Sequence, residues 1–175
     1  MARFWSLSLL IAFLIIADQL SKGAIQSSLS FGETIPVIDG FFSIAHVQNM
    51  GAAFGFMADG PNWFRQIFFL AVPVLVCGWI FYLLIKTLKE AFYISLAYAL
   101  ILAGAIGNLI DRFSLGYVVD FFLFYWKEEA NHFPAFNVAD SCISIAAILL
   151  IIDFGVQFKS KRSGDRNVSD PLSKS

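Results

Sequence analysis

Asp120 and Asp140 stand in apolar surroundings that ordinarily exclude carboxylates. Asp120 follows Tyr117-Val118-Val119 and precedes Phe121-Phe122. Asp140 belongs to Phe136-Asn137-Val138-Ala139-Asp140-Ser141, which opens an apolar run through Ile143, Ile145, Ala146, Ile148, Leu149, Leu150, Ile151 and Ile152. Read as a membrane-spanning helix, that run places Asp140 about one turn inside its start. A carboxylate costs up to ~2.5–3.5 kcal/mol at the centre of such a helix and less toward its ends. Two carboxyls brought close tend to share one proton. The ionised member can then take a proton from water while the neutral member hydrogen-bonds a carbonyl oxygen. That arrangement suits acid–base amide hydrolysis without a metal or a covalent intermediate. On spacing alone a second reading of Asp140 stands beside this one, a first-turn acid satisfied by backbone N–H groups and the helix dipole. Asp120 has a weaker alternative as a loop acid paired with Lys127.

The elements that must position these acids follow from composition. Only 14% of the 175 residues are charged, 58% are hydrophobic and 17% aromatic, with a mean hydropathy of +0.73. A soluble domain has about 25% charged residues, so the chain reads as an α-helical integral membrane protein of one domain. A net charge of −1 and the lack of a basic stripe give no sign of a nucleic-acid partner. Cys77 and Cys142 share no metal-ligand spacing and read as small apolar packing residues.

Four transmembrane helices are expected, at about residues 4–22, 67–85, 91–110 and 138–158. The first is short for the ~20 residues of a spanning helix. Arg3 before an apolar core would also suit a cleavable signal peptide. Asp18-Gln19-Leu20-Ser21-Lys22 instead continues a helical pattern with no clear small-x-small site, and Asp18 and Lys22 at i,i+4 can pair, so a retained span is favoured. Pro73 interrupts the second span. Ala97, Ala99, Ala103, Gly104, Ala105 and Gly107 give the third span small faces for close packing. Asn108 and Arg112, also i,i+4, should point the same way. Residues 33–56 and 115–134 read as outer-face β segments, the first carrying two strands about Asp39-Gly40. Together they make a small extramembrane sheet resting on the membrane with an apolar side down. The small residues of 50–56 would let backbone or ligand approach closely. The tail, 160–175, reads as disordered.

With four spans both termini share one side, and Arg3, Lys86, Lys89, Lys159, Lys161 and Arg162 gather there, which the positive-inside rule makes cytoplasmic. Asp18, Lys22, Asn49, Asn108, Asp111, Arg112, Asp120, Asn137 and Asp140 then collect at the opposite face, at one membrane depth. For Asp111 and Arg112 the plainer role is an interfacial ion pair, and for Asn108 helix–helix glue. His46 and His132 have no partner spacing and read as non-catalytic. No Ser/His/Asp arrangement, phosphate loop or zinc signature is present, and neither a metal nor a cofactor is expected.

Five segments in order carry a family resemblance: 18–22 (DQLSK), 49–55 (NMGAAFG), 107–112 (GNLIDR), 118–121 (VVDF) and 136–141 (FNVADS). Through them the chain resembles the bacterial lipoprotein signal peptidases, or signal peptidase II. One departure is Ala103, where the family often carries glycine. The resemblance implies an aspartic endopeptidase of the bacterial inner membrane with its site at the outer, periplasmic face. Its substrates would be diacylglyceryl-modified prolipoproteins, cut on the N-terminal side of the lipidated cysteine. It further implies Asp120 and Asp140 as the catalytic pair, with Asn49, Asn108, Arg112 and Asn137 around pair and substrate and Asp18 and Lys22 in a supporting motif. Globomycin-type cyclic peptides would be inhibitors. Membrane lipids are the other expected partners, and one chain suffices, so a monomer is expected. Two other classes remain open on the residues: a small proton-coupled transporter using the outer-face carboxylates as a relay, and a non-catalytic assembly factor whose acids only cap helices.

Overall fold

The computed structural model describes residues 1–51, 62–89, 92–126 and 128–168. In chain order the elements are α1 (Ala2–Ser28), β1 (Thr34–Ile38), β2 (Phe42–Asn49), α2 (Asn62–Thr87), α3 (Phe92–Ser114), β3 (Val118–Trp126), β4 (Glu128–His132) and α4 (Val138–Val168). Four of these hold stretches long and apolar enough to cross a membrane: Ala2–Ser28, Ile67–Thr87, Phe92–Ser114 and Val138–Gln157. The chain is a multi-pass membrane protein with a small open antiparallel sheet.

Helix α3 is the centre of the bundle, because it contacts α1, α2 and α4 and half of its apolar stretch is buried. Two clusters form along it. Leu7 and Leu84 meet Ala99 and Leu102, with Cys77 packed alongside. Cys142 and Ala146 of α4 meet Ala97 and Leu100. Both cysteines therefore act as packing residues. The glycines of α3 set the closest approach. A Cβ on Gly104 would strike the Ala139 carbonyl oxygen and come within 2.7 Å of Ile143, and one on Gly107 would lie 2.6 Å from Asp18 Oδ2. At the other end of the bundle the Arg3 guanidinium donates to the Leu88 carbonyl at 2.8 Å, tying the start of α1 to the end of α2.

The strands form one sheet in the order β1-β2-β3-β4. The β1–β2 hairpin closes at Asp39-Gly40, where Gly40 takes φ +73° and the Phe41 N–H donates to the Ile38 carbonyl at 3.0 Å. Between β2 and β3 the register sets Asn49 opposite Val118 and Val47 opposite Asp120, with an irregularity between Ile44 and Val47. Side chains two positions apart on a diagonal share a face, so Asn49 and Asp120 meet. Segment 135–137 then joins β3: the Phe121 and Phe122 N–H groups donate to the Phe136 carbonyl at 3.1 and 2.8 Å, and the Phe136 N–H returns a bond to the Phe122 carbonyl at 3.1 Å. This bridge delivers the start of α4 beside Asp120. One face of the sheet is aromatic, with Phe42, Phe122, Phe124 and Phe136 rings 4.8–6.2 Å apart.

Several element bounds differ from the sequence expectation. α1 reaches Ser28 rather than 22, since each added helical residue gains a backbone bond once the helix exists, which outweighs the cost of about 1 kcal/mol at Gly23. α3 reaches Ser114 rather than 110 and stops where Gly116 turns to φ +83° and its N–H caps the Arg112 carbonyl at 3.2 Å. α4 continues to Val168, so the expected disordered tail from 160 is helical over its first nine residues. Ser160, Ser163, Gly164, Asp165 and Asn167 are poor helix formers, so the extension rests on continuing an existing helix, where each added residue gains a backbone bond. The small-residue stretch at 52–56 lies outside the described residues.

Replacing Gly104 with Val should push α3 from α4 and cost about 1–3 kcal/mol by overpacking. The measurement is a drop in the thermal midpoint of the detergent-solubilised protein relative to Gly78→Val, because a Cβ at Gly78 meets nothing within 4 Å.

Candidate active site

The polar residues singled out in the sequence gather at the end of the bundle where α1, α3, β3 and the start of α4 meet. Asp18, Lys22, Asn108, Asp111, Asp120 and Asn137 are all buried, while Asn49 is exposed and Arg112 and Asp140 are half-buried.

Asn137 is the N-cap of α4. Its Oδ1 accepts the Asp140 N–H at 2.9 Å, and its own N–H donates to Asp140 Oδ2 at 3.3 Å. That reciprocal pattern is a capping box. With its oxygen committed, the Asn137 amide must present Nδ2 to its other neighbours, and it donates to Asp120 Oδ1 at 2.7 Å. One side chain therefore joins both acids. The capping role of Asp140 and its place beside Asp120 are compatible.

The other oxygens of the two acids are also bonded. Asn49 donates Nδ2 to Asp120 Oδ2 at 3.0 Å, its Oδ1 being held by the Gly51 N–H at 2.9 Å. Asn108 donates Nδ2 to Asp140 Oδ1 at 2.8 Å. Burial pushes the Asp120 carboxyl up from 3.8 to about 7, the Asn49 amide opposes that, and the Asp140 charge adds to it. The Asn137 amide and the Lys22 ammonium oppose it more weakly.

Around this pair lies an ionic cluster. Lys22 reaches Asp18 Oδ2 at 2.8 Å, Asp111 Oδ2 at 3.0 Å and Asn108 Oδ1 at 3.0 Å. Asp18 Oδ1 accepts the Ala139 N–H at 2.9 Å, serving a helix N-terminus where negative charge is favoured. Asp111 takes the Val119 N–H at 3.1 Å, which pins β3 next to Asp120. The expected i,i+4 pair of Asp18 and Lys22 is present, whereas Asp111 pairs with Lys22 rather than with its neighbour Arg112. Arg112 lies in the field of Asp140, Asp120 and Asp111, with its guanidinium 5.9 Å from the Phe69 ring. A side chain on Gly51, at φ +86°, would meet that same ring within 2.8 Å.

Sequence reasoning assigned no role to Gln19, which donates to Asp111 Oδ1 at 2.9 Å and to the Gly107 carbonyl at 3.2 Å. Its place between Asp18 and Lys22 was the available signal. Both histidines are occupied with backbone, His46 at the Leu29 carbonyl (2.9 Å) and His132 at the Phe133 carbonyl (3.1 Å). Lys127, the alternative partner for Asp120, lies outside the described residues. Among the described residues no group of three or more His, Cys, Asp or Glu side chains is arranged to hold a metal ion.

A cavity of about 530 Å³ opens at Asp140. Its walls include Asn49, Phe133, Phe136, Ser141, Ser144 and Ile145. Ser141, Ser144 and Ile145 continue down one face of α4 from Asp140, and five residues of helix rise about 7.5 Å. Ile145 is half exposed on the apolar surface of the helix, so the cavity runs from the acid toward the lipid-facing side.

Helices of membrane length, a bonded carboxyl pair at one end and a cavity leading from it sideways define a polytopic membrane protein with an enzyme-like site. The family model for Signal peptidase (SPase) II matches residues 10–156. A lipoprotein signal peptidase of Syntrophus aciditrophicus (strain SB) is 43% identical over 158 residues, 87% of this chain and 97% of that one. Another, from Pseudomonas aeruginosa (strain UCBPP-PA14), is 44% identical over 151 residues, 86% of each. Two solved structures, both described as bacterial membrane enzymes determined by the in meso method, share the fold. The one at 1.9 Å resolution has TM-score 0.70 and 30% identity, covering 85% of this chain and 92% of its own. The one at 2.3 Å has TM-score 0.68 and 28% identity, covering 97% and 93%. The chain belongs to the signal peptidase II family, the membrane proteases that remove signal peptides from prolipoproteins.

Asn137→Ala should lower stability by more than the ~1 kcal/mol of a lost cap, because the buried Nδ2 bonds to Asp120 and Asn108 go with it; the measurement is the thermal midpoint in detergent. Asn137→Ser retains a capping oxygen and should recover only the share of the loss that belongs to the cap.

Proposed function

We propose that this chain is an aspartic endopeptidase that cuts diacylglyceryl-modified prolipoproteins on the N-terminal side of the lipidated cysteine. The observation that carries the reading is the joining of Asp120 and Asp140 through Asn137 at the mouth of the cavity along α4. Asp120, with its carboxyl pushed up to about 7, holds the shared proton and hydrogen-bonds the scissile carbonyl oxygen. Asp140 is the carboxylate that takes a proton from water as the water oxygen attacks the carbonyl carbon. On collapse of the tetrahedral intermediate the C–N bond breaks, the leaving cysteine nitrogen receives the proton held by Asp140, and the carbonyl re-forms. No metal or cofactor is needed for these steps.

The substrate's acyl chains remain in lipid while its peptide enters sideways past Ile145 and Ser144. The aromatic face of the sheet and Phe133 cover the bound peptide and limit water. Arg112 and the second N–H of Asn49 are placed to hold backbone carbonyls. Globomycin-type cyclic peptides would occupy the same cavity. Arg3, Lys86 and Lys89 mark the cytoplasmic side, which puts the site at the periplasmic face of the inner membrane with both termini in the cytoplasm. A single chain carries every group invoked. A proton relay would need acids at successive depths, whereas here they sit together at one end of the bundle, which favours hydrolysis over transport.

Asp120→Asn and Asp140→Asn should each abolish cleavage of a lipidated precursor by purified, folded protein, and EDTA should leave the wild-type rate unchanged. Normal turnover by either variant would refute the pair. The pH profile gives an independent check. Asp120 is protonated below about 7 and donates only in that form, so kcat/KM should fall as pH rises through about 7. A rate rising steadily through that range would assign the proton elsewhere.

A further inference from the structure

We propose that Lys22 is a positioning residue for the reaction: its ammonium fixes the direction of the Asn108 amide, so that N–H rather than oxygen meets Asp140. The inference rests on the reading of Asp120 and Asp140 as the catalytic pair.

Lys22 is 2% exposed, and its three N–H bonds match three acceptors: Asp18 Oδ2 at 2.8 Å, Asp111 Oδ2 at 3.0 Å and Asn108 Oδ1 at 3.0 Å. An ammonium donates and never accepts. The end of the Asn108 amide that faces Lys22 must therefore be the oxygen. That oxygen also accepts from Asn137 Nδ2 at 3.1 Å, and Nδ2 of Asn108 is left for Asp140 Oδ1 at 2.8 Å. A half-turn of the amide would set N–H against ammonium and oxygen against carboxylate, two repulsive contacts where there were two attractive ones.

All three amides at the site follow this rule, yet they differ in what directs them. Asn137 and Asn49 are set by the backbone N–H groups of Asp140 and Gly51, which every residue except proline supplies. Asn108 is set by side chains alone, the Lys22 ammonium of α1 and the Asn137 amide at the start of α4. Lys22 thus influences Asp140 through Asn108, with no bond of its own to that carboxylate. Removing the ammonium takes away the charged donor to that oxygen and leaves Asn137 Nδ2 alone to hold it, which loosens the amide whose N–H holds the Asp140 carboxylate at 2.8 Å.

The test is a double-mutant cycle on the full chain in detergent, using a lipidated precursor peptide. Lys22→Met and Asn108→Ala should each lower kcat roughly tenfold with KM within about twofold, as loss of transition-state interaction requires. The double variant should be no slower than the slower single one, since coupled residues depart from additivity. Losses that multiply, or a normal kcat for Lys22→Met, would overturn the proposal. Lys22→Met leaves two buried carboxylates without their cation and can fail to fold. The cycle is then run on Asp18→Asn/Lys22→Met/Asp111→Asn, which neutralises the cluster with matching shapes, and the same criterion applies. Full activity of Asp120→Asn or Asp140→Asn marks a failure of the catalytic pair itself, separately from the cycle.

Discussion

Lipid offers no partner for an ion, so each charge at this end of the bundle must be matched inside the protein. The ion pairs around Lys22 meet that requirement, and most of the local architecture follows from them. Asp18 binds both the ammonium and the first turn of α4, which joins α1 to α4. Asp111 binds the same ammonium and the backbone of β3, which joins α3 to the sheet. A buried ion pair is weak evidence for stability, because desolvation offsets much of its attraction. Its contribution here is to specify where three helices and a strand meet.

The sheet supplies the second half of the placement. A carboxyl on a strand and another on a helix have no reason to meet unless the chain between them is fixed. Segment 135–137 pairs with the middle of β3 and then enters α4, so the two acids are separated by a short, fully bonded path through Asn137. Rigidity of this kind suits a site that must hold reacting groups within fractions of an ångström. The aromatic face of the sheet packs Phe122 and Phe124 against Phe136, which steadies the segment leading into Asn137.

Much of this was legible in the sequence. Runs of apolar residues located the four helices, Asp39-Gly40 marked the hairpin, and the misplaced polar residues marked the end of the bundle at which they gather. The Asp18–Lys22 pair followed from helical spacing alone. What the sequence could not carry were contacts with no local signature. The bond between Asp18 and the Ala139 N–H joins residues 121 apart, and the Phe136 bridge to β3 has no sequence pattern of its own. Helix ends differ where weak helix formers follow a span, as at Gly23 and at Ser163-Gly164, because an existing helix carries on through residues that would not start one. Gln19 escaped a role because an amide beside charged neighbours looks like ordinary interfacial polarity. The directions of the asparagine amides depend on which neighbour can only donate, and that is known only once the neighbours are placed.

The contact of Gly104 and Gly107 with the start of α4 has a bearing on how such a protein can change over generations. The α3–α4 seam behind the site has no spare volume, so a side chain at Gly104 or Gly107 meets backbone or Asp18 at once. The cavity wall along Ser144 and Ile145 is exposed. Among the described residues, change in side-chain size has more room on that wall than at the seam. The seam then keeps the polar residues in register while the exposed wall is free to change.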